Sequence, residues 1–74
     1  MAKSVKQKPV PLSSREIGVV KLICKEYSNE EIAAKLGLSK RTVEGHRIRI
    51  MRKLKKTSAI GVVIYAIKNG LFKI

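Results

Sequence analysis

The chain contains no aspartate, no tryptophan, one cysteine and only three aromatic residues, Tyr27, Tyr65 and Phe72. Each shortage closes off a class of function. Without aspartate there is no phospho-accepting Asp and no Asp-containing catalytic triad. A lone Cys24 has no internal partner for a disulfide, so nothing calls for an oxidising compartment and the cytoplasm is the expected location. Three rings are too few for a sheet that stacks single-stranded bases. No apolar run approaches the roughly 20 residues that span a bilayer, and the lysine-dotted N-terminus lacks the apolar stretch of a signal peptide. No membrane association is expected. At 74 residues the chain has room for one small domain, without a receiver or sensor domain beside it.

What the sequence holds in excess is positive charge. Seventeen Lys or Arg stand against five acidic residues, all Glu, for a formal charge of +12. A polyanion is therefore the expected partner, with nucleic acid ahead of an acidic membrane surface. The hydrophobic fraction of 45% suffices for a packed core, although a domain this small has little stability to spare.

Residues 1–11 read as a basic tail. They carry Lys3, Lys6 and Lys8, two prolines and little to bury, which predicts disorder or a short extended arm. Residues 12–74 read as one all-α domain of four helices. Ser13 followed by Glu16 is a capping-box pattern, with Leu12 and Ile17 as its hydrophobic staple, and predicts a first helix running to about Glu26. Ser28 and Glu31 repeat the device, and Gly37 stops the second helix. Ser39 caps a third helix over 40–54, with Val43, His46, Ile50, Met51 and Leu54 on its inner face. A fourth begins at Thr57 or Ser58 and ends near Asn69, before Gly70. Residues 60–65 are rich in β-branched side chains and would suit a strand, but the chain offers no second strand to pair with, so helix is expected.

The segment 29–48 has the spacing of a helix-turn-helix. Such a unit needs a small residue where its helices cross, and Ala33 is there. Four positions later the turn needs a residue tolerant of positive φ, and Gly37 is there. Ile32, Leu36, Leu38 and Val43 are placed to fill the angle between the helices. The six positions agree at once. From Lys40 to Lys56 there are also eight basic residues and one acid, Glu44. A recognition helix puts base-reading side chains on its outward surface and cations on its flanks. Projected at helical spacing, Glu44, Gly45 and Ile48 fall on the groove floor. Glu44 suits a cytosine amino group and Ile48 a thymine methyl, while Gly45 allows close backbone approach. Ser39, Lys40, Arg41, Thr42, Arg47, Arg49 and Arg52 are expected to hold phosphates. Double-stranded DNA is thus the expected partner.

Leu12-Ser13-Ser14-Arg15-Glu16, Ser28-Asn29-Glu30-Glu31-Ile32-Ala33, Thr42-Val43-Glu44-Gly45-His46-Arg47 and Ile50-Met51-Arg52-Lys53-Leu54 resemble the LuxR/FixJ/NarL-type helix-turn-helix output domain. The resemblance covers about Leu12 to Leu71. It implies a four-helix domain that binds duplex DNA as a dimer through its fourth helix, as a stand-alone regulator or as the output domain of a response regulator. Its base-reading positions fall on Glu44, Gly45 and Ile48, in agreement with the projection. The chain departs from the family pattern at Arg49, where Asn is common, at Lys55-Lys56, where a Gly-Val pair is common, and at Ala59 and Gly61 in the fourth helix. A sigma-factor-type promoter reader, with RNA polymerase as its partner, and a basic RNA-binding module are the competing readings.

Other residues have plainer explanations. His46 is expected to be a partly buried core histidine, since one histidine and one cysteine cannot make a metal centre. Cys24 fits a small buried slot on the first helix. Glu16 and Glu31 are helix caps. With no nucleophile–base pair, metal cluster or phosphate-binding glycine loop, neither enzymatic activity nor a cofactor is expected. The fourth helix is apolar on two sides: Ile60, Val63, Ile64 and Ile67 form one stripe, and Val62, Tyr65 and Ala66 another. One must face the core. The other is expected to meet a second copy of the chain, and Val62, Tyr65 and Ala66 are assigned to that homodimer interface.

Overall fold

A computed structural model describes residues 10–73. The tail expected over 1–11 lies outside the described residues except for Val10 and Pro11, and Val10 is half-buried against the core. Four helices follow: α1 (Ser14–Cys24), α2 (Asn29–Leu36), α3 (Lys40–Leu54) and α4 (Ala59–Lys68). No strand occurs among the described residues, and no helix is long and apolar enough to cross a membrane.

A serine starts every helix. Ser13 Oγ accepts the Glu16 amide at 3.2 Å while Glu16 Oε1 accepts the Ser13 amide at 2.9 Å. Ser28 and Glu31 do the same at 3.1 and 2.8 Å. Ser39 Oγ accepts from the Thr42 amide at 3.1 Å, and Ser58 Oγ from the Gly61 amide at 3.2 Å. These bonds satisfy N–H groups that a helix cannot pair within itself.

The helices also end alike. Each stops at a residue with left-handed backbone: Glu26 (φ 66°), Gly37 (φ 68°), Lys55 (φ 57°) and Gly70 (φ 76°). The next amide then reaches back five residues, from Tyr27 to Leu22, Leu38 to Ala33, Lys56 to Met51 and Leu71 to Ala66, at 2.8–3.1 Å. This is the Schellman-type closure, which glycine fills without steric cost. Gly37 and Gly70 are the stops expected from sequence. Glu26 and Lys55 occupy the same position without glycine's freedom, and α1 accordingly ends at Cys24, two residues before the end expected from its apolar stripe.

The core contains Val19, Val20 and Ile23 of α1, Ile32 and Ala33 of α2, Val43, Ile50 and Leu54 of α3, Val62 and Ala66 of α4, and Leu71. Helices α1 and α3 each meet the other three, whereas α2 and α4 do not meet. A polar tie crosses this arrangement. Glu16 is only 4% exposed, and Lys53 Nζ donates to both of its carboxylate oxygens at 2.9 and 3.1 Å. The N-terminus of α1 is thereby fastened to the last turn of α3. Glu16 is a cap, as expected, and also half of a buried contact spanning 37 residues.

Helix α4 corrects the sequence reading. Val62 and Ala66 are 1% and 0% exposed, so they belong to the core and cannot form a surface for a second copy. Tyr65 is half-buried against the same core. The exposed stripe is the other one, with Ile60 at 71%, Ile64 at 47% and Ile67 at 37%. At about 100° per residue these three isoleucines centre on the side of α4 opposite Val62 and Ala66. The small Ala66 and compact Val62 let α4 approach α1 and α3 closely, which larger isoleucines on that side would prevent.

Candidate nucleic-acid interface

The geometry of α3 originates in the turn before it. With Gly37 in the left-handed conformation, the Leu38 amide bonds back to Ala33 O at 2.9 Å and the chain reverses within a few residues. Ala33, 6% exposed, sits at the crossing with Val43, which is fully buried. Half-buried Leu36 and Leu38 pack against this seam. The side of α3 carrying Val43, Ile50 and Leu54 is therefore sealed into the core, and its opposite side must face solvent.

That opposite side carries Arg41, Glu44, Gly45, Ile48 and Arg52, all within an arc of roughly 100° at helical spacing. Arg41, Glu44, Ile48 and Arg52 are exposed and Gly45 is half-exposed. Ile48 holds 54% of its surface in water. The three expected base-reading residues thus form one strip with an arginine at each end. Around Gly45 there is open space, since a Cβ built there would meet nothing within 4 Å.

The expected phosphate-binding residues separate into groups. Among the described residues, no carboxylate lies within ion-pair distance of Arg41, Arg49 or Arg52. Lys40 is exposed and makes a loose 3.8 Å ion pair with Glu30 at the start of α2. Ser39 and Thr42 are exposed, with their hydroxyl oxygens 2.9 Å apart and Ser39 Oγ committed to the cap. Arg49 lies on the flank, its Nη2 3.2 Å from His46 Nδ1. Arg47 does not share this surface. It is half-buried on the core side of α3, over a crevice lined by Ile23, Ile50, Met51, Ala59 and Val62. At about 40° from Val43 in helical projection, its stem covers apolar surface before its head reaches water. Lys53, which carries one of the eight positive charges between Lys40 and Lys56, is held by Glu16 instead of pointing free.

The Ser13 backbone hydrogen bond, reinforced by Lys53, holds the Glu16 carboxyl below its ordinary value despite burial. Burial pushes the Cys24 thiol up, as for an inert cysteine. No three His, Cys, Asp or Glu residues group as a metal site among the described residues. The strip thus offers hydrogen-bonding and apolar contact between unneutralised cations, which is chemistry for recognition of a polyanion.

Sequence reasoning missed the Glu16–Lys53 tie and the true exposed stripe of α4. The first joins residues 37 apart and leaves no local pattern. The second depends on which of two apolar stripes packs more closely, which periodicity does not decide.

Comparison with known proteins agrees with this geometry. The family model for bacterial regulatory proteins of the luxR family matches residues 10–66. The oxygen regulatory protein NreC of Staphylococcus carnosus (strain TM300) is 48% identical over 60 residues, covering 81% of this chain and 28% of NreC. The chain thus spans less than a third of that relative. Among solved structures, the response regulator ChrA of a heme-sensing two-component system matches 92% of this chain and 34% of its own, with 31% identity and a TM-score of 0.78. VqmA of Vibrio cholerae, a LuxR-type receptor, matches 85% of this chain and 28% of its own, with 27% identity and a TM-score of 0.79. The sealed inner side of α3, its exposed strip and the match over residues 10–66 lead to one conclusion: this chain belongs to the luxR family of bacterial regulatory proteins, as a helix-turn-helix domain that binds DNA.

Proposed function

We propose that the domain reads a duplex operator by laying α3 in the major groove, as part of bacterial transcription regulation in the cytoplasm. Glu44, Gly45 and Ile48 face the base edges. Glu44 accepts from a cytosine amino group, Ile48 packs on a thymine methyl, and Gly45 lets the backbone come close. Arg41, Arg49 and Arg52, with Lys40, Ser39 and Thr42, hold the phosphates on either side. Arg47 joins them only through the far end of its side chain. One observation carries the reading: an acid, a glycine and an exposed isoleucine form a single strip between arginines that have no carboxylate partner among the described residues.

Two copies on a two-half-site operator follow from the isoleucine stripe of α4. Three large apolar side chains on one side of a short helix are costly in water and self-complementary across a twofold axis. VqmA is described as a dimer that has a target DNA, which supports the reading. By analogy with NreC and ChrA, the domain serves as the output part of a regulator, whether alone or joined to a sensing part.

Selection of binding sites from a random duplex pool tests the whole proposal, because the recovered motif reports half-site, spacing and symmetry together. Glu44→Ala should then relax preference at one base pair by about 1–3 kcal/mol, while Lys40→Ala should weaken all duplexes alike. Uniform losses from both substitutions would remove Glu44 from base reading. Ile64→Glu should weaken a two-half-site duplex far more than a single half-site. Equal losses, or one copy sedimenting alone on the full site, would refute the dimer.

A further inference from the structure

The flank of α3 holds a contact that neither the base-reading strip nor the core explains. Arg49 Nη2 lies 3.2 Å from His46 Nδ1, one turn earlier on the same helix. A guanidinium has five N–H donors and no acceptor, so Arg49 donates here and Nδ1 accepts through its lone pair. The contact therefore fixes the imidazole tautomer, with Nδ1 bare and the proton on Nε2. His46 is half-buried whereas Arg49 is exposed, so the better-anchored ring acts on the freer chain.

The choice of acceptor is informative. A carboxylate in the place of the ring would bind the guanidinium more strongly, but it would also neutralise it and compete with a DNA phosphate. A neutral imidazole restrains the arginine and leaves its full charge, and most of its donors, available. Among the described residues no acid lies within ion-pair distance of Arg49. In helical projection Arg49 falls beside the Glu44–Ile48 strip, where a groove-bound helix passes a phosphate backbone.

We infer that His46 is a positioning residue, whose Nδ1 holds the Arg49 guanidinium ready for a DNA phosphate. The inference rests on the reading of Arg49 as a phosphate contact. The histidine touches no base. It reduces the freedom that the long arginine side chain must lose when DNA arrives. On this account His46 is more than the core filler that its sequence position suggests.

The test measures duplex affinity of the full chain against salt concentration, on one site recovered by selection, at mildly alkaline pH. Arg49→Ala should lower the slope of log affinity against log salt by about 0.9, the share of one phosphate. An unchanged slope would refute the phosphate role of Arg49 itself, and the inference with it. His46→Phe keeps the ring and removes the acceptor. It should lower affinity about three- to tenfold in the wild-type chain and have no further effect once Arg49 is alanine. His46→Asn, with a carbonyl oxygen near the place of Nδ1, should restore most of the loss. Equal losses from His46→Phe with and without Arg49, or no loss at all, would overturn the positioning role while leaving Arg49 as a phosphate contact. A measurement on the unaltered chain guards against a variant that fails to fold. Nitrogen NMR should show the ring proton on Nε2, and a proton on Nδ1 would overturn the inference.

Discussion

Glu16 offers the most direct test of how the domain is held together. Glu16 is 4% exposed, and its carboxylate accepts the Ser13 amide at 2.9 Å and receives Lys53 Nζ at 2.9 and 3.1 Å. Glu16→Ala removes one side of the capping box, typically worth about 1 kcal/mol. It also removes charge-assisted hydrogen bonds, which contribute roughly 1.5–3 kcal/mol when fully buried. Lys53 is 41% exposed and turns to water when abandoned, so its share is well below that range. Together the loss is about 2 kcal/mol, which in a domain of this size lowers the melting temperature by roughly 8–16 °C. Urea unfolding monitored by circular dichroism, with an unchanged slope, measures it. The pH dependence gives the sharper readout. The folded-state pKa is lowered, chiefly by the Ser13 backbone bond, so the stabilisation is fully present above the unfolded carboxyl value of about 4.3. It is lost as pH falls through the folded-state value. Wild type and Glu16→Ala should therefore differ by a constant amount near neutrality and converge in acid. A difference that stays the same from neutral to strongly acidic solution, or one below about 0.5 kcal/mol at neutrality, would refute the argument.

Two further substitutions separate stability from recognition. Lys55 occupies a left-handed position at φ 57°, which costs a side-chain-bearing residue roughly 1–2 kcal/mol, so Lys55→Gly should stabilise the domain by about 0.5–1 kcal/mol after glycine's greater unfolded freedom is deducted. Thermal unfolding checks this, and a fall in stability would contradict it. Gly45 is in the interior of α3 with open space around its Cα, so Gly45→Ala should stabilise the free domain by about 0.5–1 kcal/mol while weakening duplex binding, because the added methyl stands where the backbone nears the base edges. Unfolding and titration of the same protein decide it, and unimpaired binding would mean that Gly45 does not approach the bases.

Much of this molecule follows from short-range rules. Serine caps placed all four helix starts to within a residue, because a cap and the amide it binds are three positions apart. The crossing at Ala33 and the turn at Gly37 were readable for the same reason: each is imposed by sterics within a few residues. The outward strip of α3 followed from periodicity, since Val43, Ile50 and Leu54 specify the inner side and the rest is geometry. Nothing in the sequence marks the left-handed stops at Glu26 and Lys55, because neither residue type favours positive φ. There the chain accepts local strain to close the helix.

Contacts between distant segments obey no such local rule. Val62 and Ala66 face the core and Ile60, Ile64 and Ile67 face water because one side of α4 fits closely against α1 and α3, and both stripes look equally apolar until those helices are in place. Periodicity already puts Arg47 on the core side of α3, but the crevice beneath it, lined by Ile23, Ala59 and Val62, exists only once α1 and α4 are packed there. Lys53 is drawn to Glu16 across 37 residues, a meeting that exists only once α1 and α3 are packed. Hydrogen bonds and steric limits act over one turn of helix and can be written into neighbouring residues, whereas the choice among chemically similar surfaces belongs to three-dimensional packing.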